Sequence, residues 1–217
     1  MLKRGLGVQA ADVIRNEILS GEFQPGEPIT EEGLAKRLGV SRGTIRTSIQ
    51  QLVYEGIIHS EPYKGNYVRP LDAHDAWEIY TMRNVLEAFA SQLAAQFIND
   101  EGREQLEQGL KNLKSAIESG EQTKIIDADF ALHLIIFRLS KHKQLARQYQ
   151  QLEGLTRLYM NALSGYRDNL DELFHEHVVL VEAIQRGNVE QAAQLAKEHI
   201  GETCRPIGQH QSCQHPD

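Results

Sequence analysis

The chain has little cysteine: two in 217 residues, Cys204 and Cys213, both close to the C-terminus. No disulfide framework can be built from them, and a reducing cytoplasm is the expected compartment. No run approaches the roughly 18 consecutive apolar residues of a membrane span, and the N-terminus carries no apolar stretch of the secretory kind. Internal repeats and low-complexity blocks are absent. Excess positive charge is missing too: the net charge is −7, so the composition as a whole is not that of a nucleic-acid binder. The imbalance is uneven, however. Residues 1–70 hold 9 Lys and Arg against 8 Asp and Glu, whereas the remainder holds 14 against 22. The acidity therefore belongs to the second part of the chain.

The most informative stretch runs from Ile29 to Arg46. Leu34, Ala35 and Leu38 form one apolar face of a short helix, and Gly39 supplies a turn where positive φ costs little. Ser41 can cap a second helix by accepting a backbone N–H. Arg42 and Arg46 share one face of that helix, and Ile45, Ile49, Leu52 and Val53 form the face behind them. This is the pattern of a helix-turn-helix whose second helix enters the DNA major groove. Ser41, Arg42, Thr44 and Arg46 are the candidate DNA contacts.

Glu55-Gly56 ends that helix, and a short apolar strand follows at Ile57-Ile58-His59. Pro62 to Asn66 is rich in turn residues, and Tyr67-Val68-Arg69 can return as a second strand. A hairpin directly after a recognition helix is a wing, and Lys64 at its tip can reach phosphate or the minor groove. The alternative is a surface hairpin without DNA contact. A first helix is expected over Val8–Leu19, with Val13, Ile14 and Ile18 inward. The expected domains are 1–70, a winged helix-turn-helix; 73–205, an antiparallel all-helical bundle; and 206–217, a mobile tail. Pro70-Leu71-Asp72 is the expected hinge, because proline disfavours helix in the residue before it.

After Asp72 the pattern is helical throughout. Breaks at Asn99-Asp100, Ser119-Gly120, Lys141-His142, Ser164-Gly165 and Gly187-Asn188 leave helices near 73–98, 101–118, 122–140, 143–163, 169–186 and 189–203. Short loops between long amphipathic helices make antiparallel neighbours. The fold class is thus mainly α.

Three of these helices carry ionisable residues on apolar faces. Ile126, Phe130, Leu134 and Phe137 form a stripe that includes Asp129 and His133. His177 sits among Leu170, Leu173, Leu180 and Ile184, and His199 shares a face with Ala192 and Ala196. A buried unpaired carboxylate costs several kcal/mol and a buried unbonded imidazole about 1–3 kcal/mol. One arrangement satisfies all four: Asp129, His133, His177 and His199 converge on a divalent metal, with zinc, nickel and manganese suited to such ligands. Taken singly, each histidine also reads as a hydrogen-bonded core residue. His175 lies on another face and is read as an outer or surface residue. Cys204, His210, Cys213 and His215 are metal-capable types whose spacing matches no zinc motif.

Together these motifs resemble a GntR-family transcriptional regulator of the FadR subclass, with a C-terminal FCD domain. The resemblance covers about Gln9 to Thr203. It rests on Leu34-Ala35, Leu38-Gly39-Val40-Ser41-Arg42, Arg46, Leu52 and Glu55-Gly56. In the second part it rests on Arg83, Glu87, Asp129 with His133, Glu176-His177, Ala183-Ile184, Gly187-Asn188, Ala192 and His199-Ile200. The resemblance implies DNA contacts by Arg42, Thr44 and Arg46, and a wing glycine, here Gly65, near the minor groove. It implies metal binding by Asp129, His133, His177 and His199, with the metal holding the carboxylate of a small organic acid. Arg83 is the candidate second contact to that acid, the alternative being a surface arginine paired with Glu87.

The chain departs from many members at Gly43-Thr44-Ile45, at Thr47-Ser48-Ile49 and at Glu32, which stands where some relatives place a DNA-contacting arginine. These positions bear on which operator is read. A pseudo-palindromic operator and a homodimer joined mainly through residues after Asp72 are expected. Two further readings stay open: a sensor in which the ion itself is the signal, and a metal-dependent hydrolase. The N-terminal half speaks against an enzyme.

Overall fold

A computed structural model describes residues 5–70, 72–162 and 169–208, with side chains left out at Ala162 and at 202–208. Leu71 of the expected hinge, the Ser164-Gly165 break, and the side chains of Cys204, His210, Cys213 and His215 lie outside the described residues. So does the expected tail from residue 209 onward. The chain divides into two compact units. One is Met1–Asp72 with Gly154–Leu163; the other is Ala73–Glu153 with Ser164–Asp217.

The first unit opens with α1 (Leu6–Leu19), which turns Ala10, Ala11, Ile14 and Ile18 inward. Val13 was expected on that face but is 42% exposed, because at about 100° per residue it points away from the side formed by Ala10, Ala11, Ile14 and Ile18. α2 (Glu31–Leu38) is capped by Thr30 Oγ1, which accepts from Gly33 N at 3.2 Å. Glu31 and Glu32 in its first turn, with Lys36 and Arg37 in its last, suit the helix dipole. Gly39 ends it in the left-handed region, φ 66°. α3 (Arg42–Tyr54) is capped by Ser41 Oγ, which accepts from Thr44 N at 3.1 Å.

Three short strands complete the unit: β1 (Pro28–Ile29), β2 (Ile58–Glu61) and β3 (Gly65–Val68). Their order is β1-β3-β2, all antiparallel, with Ile58 opposite Val68 and Pro28 opposite Tyr67. The wing is thus a hairpin with a third strand added from the segment before α2. Ile14, Ile45, Leu52, Ile57 and Val68 form the core, and Leu158, from the segment grouped with this unit, joins it. Gly154 lies so close to Ile57 that a Cβ there would meet its Cδ1 at 2.9 Å.

Six helices are described in the rest of the chain: α4 (Ala73–Phe97), α5 (Asp100–Ser119), α6 (Gln122–Leu139), α7 (Lys143–Ala162), α8 (Leu170–Gln185) and α9 (Val189–Gly208). Asn99 caps α5 and Asn169 caps α8 through their side chains. α9 continues to Gly208, beyond the expected end near 203. In the second unit α4 packs on α6, α8 and α9, and α5 on α6 and α8. The α5–α6 approach is close at Gly109, where a Cβ would meet Leu132 Cδ1 at 2.7 Å. This arrangement faces α4, α6, α8 and α9 toward a shared interior.

Candidate functional site

Asp129 and His133 on α6, His177 on α8 and His199 on α9 are all buried. Each offers one ligand atom, and these atoms all lie within 4.8 Å of one another. Three helices that share an apolar interior therefore bring together the four residues expected from sequence. Their rings are tightly associated: the centroids of His177 and His199 are 4.3 Å apart, and those of His133 and His199 are 5.3 Å apart.

The surroundings fix the tautomers. His177 Nδ1 is 2.8 Å from the carbonyl oxygen of Leu173, which can only accept, so Nδ1 carries the proton. His133 Nδ1 lies 2.5 Å from Glu87 Oε2, and His199 Nδ1 lies 2.7 Å from Glu176 Oε2. Carboxylates also only accept. In the neutral form each ring thus carries its proton on Nδ1 and turns the Nε2 lone pair inward. Yet the Nε2 atoms of His177 and His133 face each other at 3.2 Å, and His177 Nε2 is 2.9 Å from Asp129 Oδ1. Among the described residues neither oxygen of Asp129 has a hydrogen-bond partner unless an Nε2 carries a proton. Lone pairs and a carboxylate at such distances repel unless a cation lies among them. A proton on one ring would relieve one contact; a divalent cation relieves all of them.

The charges agree. Burial pushes the Asp129 carboxyl upward, but His177 and the other two rings outweigh this and hold it far below the usual range. Burial likewise raises Glu87, but Arg83 and His133 hold it at about 2. Burial lowers His133, but Glu87 reverses the direction and the ring ends above its ordinary value. Burial, together with His177 and His133, drives His199 well below its ordinary value, so this ring is neutral.

Arg83 is only 1% exposed. Its Nε donates to Glu87 Oε1 at 2.8 Å, and its guanidinium lies over the rings of Tyr80, Phe130 and Tyr149 at 5.4, 5.5 and 6.0 Å. Arg83, Glu87 and His133 thus form a continuous chain leading to the cluster. Tyr149 was not anticipated. Its ring stacks on Phe137 at 4.2 Å, and its buried hydroxyl has no hydrogen-bond partner among the described residues. Its place on an amphipathic helix gave only the signal of a core aromatic. His175 is exposed.

The second candidate surface lies in the first unit. Arg42 and Arg46 project from α3 with side chains 62% and 63% exposed. Each meets an acid of α2: Arg42 Nη2 is 2.7 Å from Glu32 Oε2, and Arg46 donates to both oxygens of Glu31 at 2.9 and 2.8 Å. The Thr44 and Ser41 hydroxyls are 2.9 Å apart. Lys64 is 71% exposed and pairs with Glu61 at 2.7 Å. Gly65 has φ 112°, a conformation that favours glycine. Glu31, Arg46 and Gln50 of the helices and Ser60, Lys64 and Asn66 of the hairpin line one open groove.

Comparison with known proteins accounts for both parts. Residues 6–68 match "Bacterial regulatory proteins, gntR family", and residues 78–202 match "FCD domain". The chain is 29% identical over 203 residues to the uncharacterized HTH-type transcriptional regulator YdhC of Bacillus subtilis, covering 92% of this chain and 90% of the relative. It is 27% identical over 192 residues to the probable D-xylose utilization operon transcriptional repressor of Paenarthrobacter nicotinovorans, covering 88% and 84%. Among solved structures, E. coli McbR/YncC shares the fold with a TM-score of 0.81 at 21% identity, covering 95% of this chain and 99% of that one. The relatives named here are regulators, and no helix among the described residues is long and apolar enough to cross a membrane. The chain belongs to the gntR family of bacterial regulatory proteins, carries an FCD domain in its second part, and is a transcriptional regulator rather than an enzyme.

Proposed function

We propose that this regulator binds a pseudo-palindromic operator as a homodimer in the cytoplasm, and that a small carboxylate metabolite controls its operator affinity from a divalent metal site in the helical domain. The observation that carries the metal reading is the convergence of four buried ligand atoms within 4.8 Å of one another, with the Nε2 atoms of His177 and His133 3.2 Å apart beside the Asp129 carboxylate. Asp129, His133, His177 and His199 would hold the ion, with zinc first among the candidates and nickel and manganese also suited. When bound, such an ion supplies positive charge and coordination positions beyond its protein ligands, to which a carboxylate can bind. The chain's own residues do the rest. Glu87 and Glu176 fix the rings of His133 and His199. Arg83, held by Glu87, offers the second contact to an acid, and Tyr149 Oη supplies a buried donor close to it.

At the DNA, Arg42, Thr44 and Arg46 read the major groove, Ser41 shapes the start of the helix, and Lys64 with Gly65 places the wing against the backbone or minor groove. The exposed Met82, Val85 and Phe89 recur along α4 at helical spacing and support contact with a second copy. A thermal-shift screen of small carboxylic acids, with and without a chelator, tests the reading. Stabilisation by an acid that disappears on chelation is expected. Stabilisation indifferent to the chelator would remove the metal from the effector site, and a response to the ion with none to any acid would favour a metal sensor.

A further inference from the structure

We propose that Glu31 is a positioning residue for DNA reading: it grips Arg46 along the Nε–Nη2 edge, so that the guanidinium presents its end-on edge to a single guanine. This rests on the assignment of Arg46 as a base-reading residue.

The two arginines of α3 are held differently. Arg46 donates Nε to Glu31 Oε1 at 2.9 Å and Nη2 to Oε2 at 2.8 Å, a two-bond fork. Arg42 meets Glu32 through one contact at 2.7 Å. The Glu31 side chain is 27% exposed and the Glu32 side chain 76%. Glu31 also stands on a fixed support. It follows the Thr30 cap in the first turn of α2, and the preceding Pro28–Ile29 pairs with Tyr67 and Asn66 of β3.

A guanidinium has five N–H groups in a planar fork. The Glu31 grip uses two along one edge and leaves one N–H on each terminal nitrogen pointing forward. That pair matches the O6 and N7 acceptors of guanine. An ungripped arginine swings among phosphates and bases, and phosphate contacts carry no sequence information. The grip has an electrostatic cost, since a carboxylate beside the duplex repels phosphate. Glu31 should therefore sharpen discrimination while lowering total affinity, the opposite of what a merely structural residue does. Exposed ion pairs of this kind contribute little to folding, so the variants remain folded.

The test uses full-length wild type, Glu31→Gln, Glu32→Gln and Arg46→Ala. Each selects duplexes from a random-sequence pool, and affinities are then measured for the selected duplex and for one with the guanine assigned to Arg46 changed to adenine. Glutamine offers one acceptor in place of two, so it cannot form the fork. In Glu31→Gln the guanine preference should fall by roughly 5- to 100-fold, much of the discrimination a bidentate arginine supplies. Its affinity for unrelated DNA should hold or rise. Glu32→Gln removes the same charge and should keep the preference. Wild-type preference in Glu31→Gln, or an equal loss in Glu32→Gln, overturns the proposal. If Arg46→Ala selects the wild-type sequence unchanged, the assignment of Arg46 itself fails; if only Arg46→Ala loses the guanine, that assignment stands and the role of Glu31 fails.

Discussion

Replacing Asp129 by asparagine separates the proposed metal site from the fold around it. The carboxylate is fully buried and lies 2.9 Å from His177 Nε2. An amide keeps the size but loses the charge, and its NH2 group can donate to a bare ring nitrogen. The chain itself then supplies the missing donor, and the cluster no longer requires an ion. At free zinc about 100-fold above its dissociation constant, an ion bound only by the folded state stabilises by about 2.7 kcal/mol. For a chain of this length, each kcal/mol moves the melting temperature by about 2–4 °C. Chelation should therefore lower the wild-type melting temperature by about 5–11 °C, and that of Asp129→Asn by no more than about 2 °C on the same scale.

The comparison is made within each variant, with and without chelator. Whatever the substitution does to the metal-free fold then cancels. Differential scanning fluorimetry gives the temperatures, and elemental analysis of gently purified protein gives the ion and its stoichiometry. An equal response to chelator in wild type and Asp129→Asn would remove Asp129 from the ligand set. No response in wild type, together with no bound metal, would refute the reasoning about the opposed Nε2 atoms.

Arg46→Ala should weaken operator binding by roughly 5- to 150-fold, as expected for loss of one bidentate base contact, with the melting temperature unchanged; gel shifts and a thermal melt check both. Ser41→Ala removes the acceptor for Thr44 N and should cost about 1 kcal/mol, read as a lower midpoint in urea unfolding. Val85→Glu with Phe89→Glu places two charges on the exposed apolar face of α4 and should give a monomeric mass by light scattering; an unchanged dimer would move the interface elsewhere. An acid found in the thermal screen and a duplex selected in vitro should show reciprocal linkage: the acid changes operator affinity by about 5- to 150-fold, and the operator changes acid affinity by the same factor. Equal calorimetric affinities with and without operator would mean that the pocket does not control DNA binding.

Much of this architecture was legible because helices announce themselves by period. The ends of α4 to α8 fall within a residue or so of the sequence expectation, since Asn99, Gly120, Asn169 and Gly187 are caps and breaks whose chemistry is local. The metal candidates were legible for a related reason: an ionisable residue within an apolar stripe conflicts with its surroundings and asks for a partner. β1 was not legible, because two residues have no period and their pairing with Asn66 and Tyr67 is set by the fold. The unpartnered hydroxyl of Tyr149 depends on what its neighbours fail to offer, so the residue looked like any core aromatic. The grip of Glu31 on Arg46 spans 15 residues across a turn. Sequence placed both charges, but not their meeting.

The charged groups around the cluster bear on the metal reading as well as its distances. Arg83 brings one positive charge, and Glu87, Asp129 and Glu176 bring three negative ones, linked through the rings of His133, His177 and His199. Each Nδ1 faces an outward acceptor, so the inward Nε2 atoms are the ones turned toward Asp129. Glu87 and Asp129 are buried, and buried charges are costly unless paired. At His133 burial is outweighed by Glu87, which favours the protonated ring, whereas burial and its fellow imidazoles drive His199 away from protonation. A divalent ion among the Nε2 atoms would offset the Asp129 charge and take the lone pairs that point inward. The inward Nε2 atoms and the buried Asp129 carboxylate thus suit the same partner. Removing Glu87, which ties Arg83 to His133, should weaken the site although it contributes no ligand.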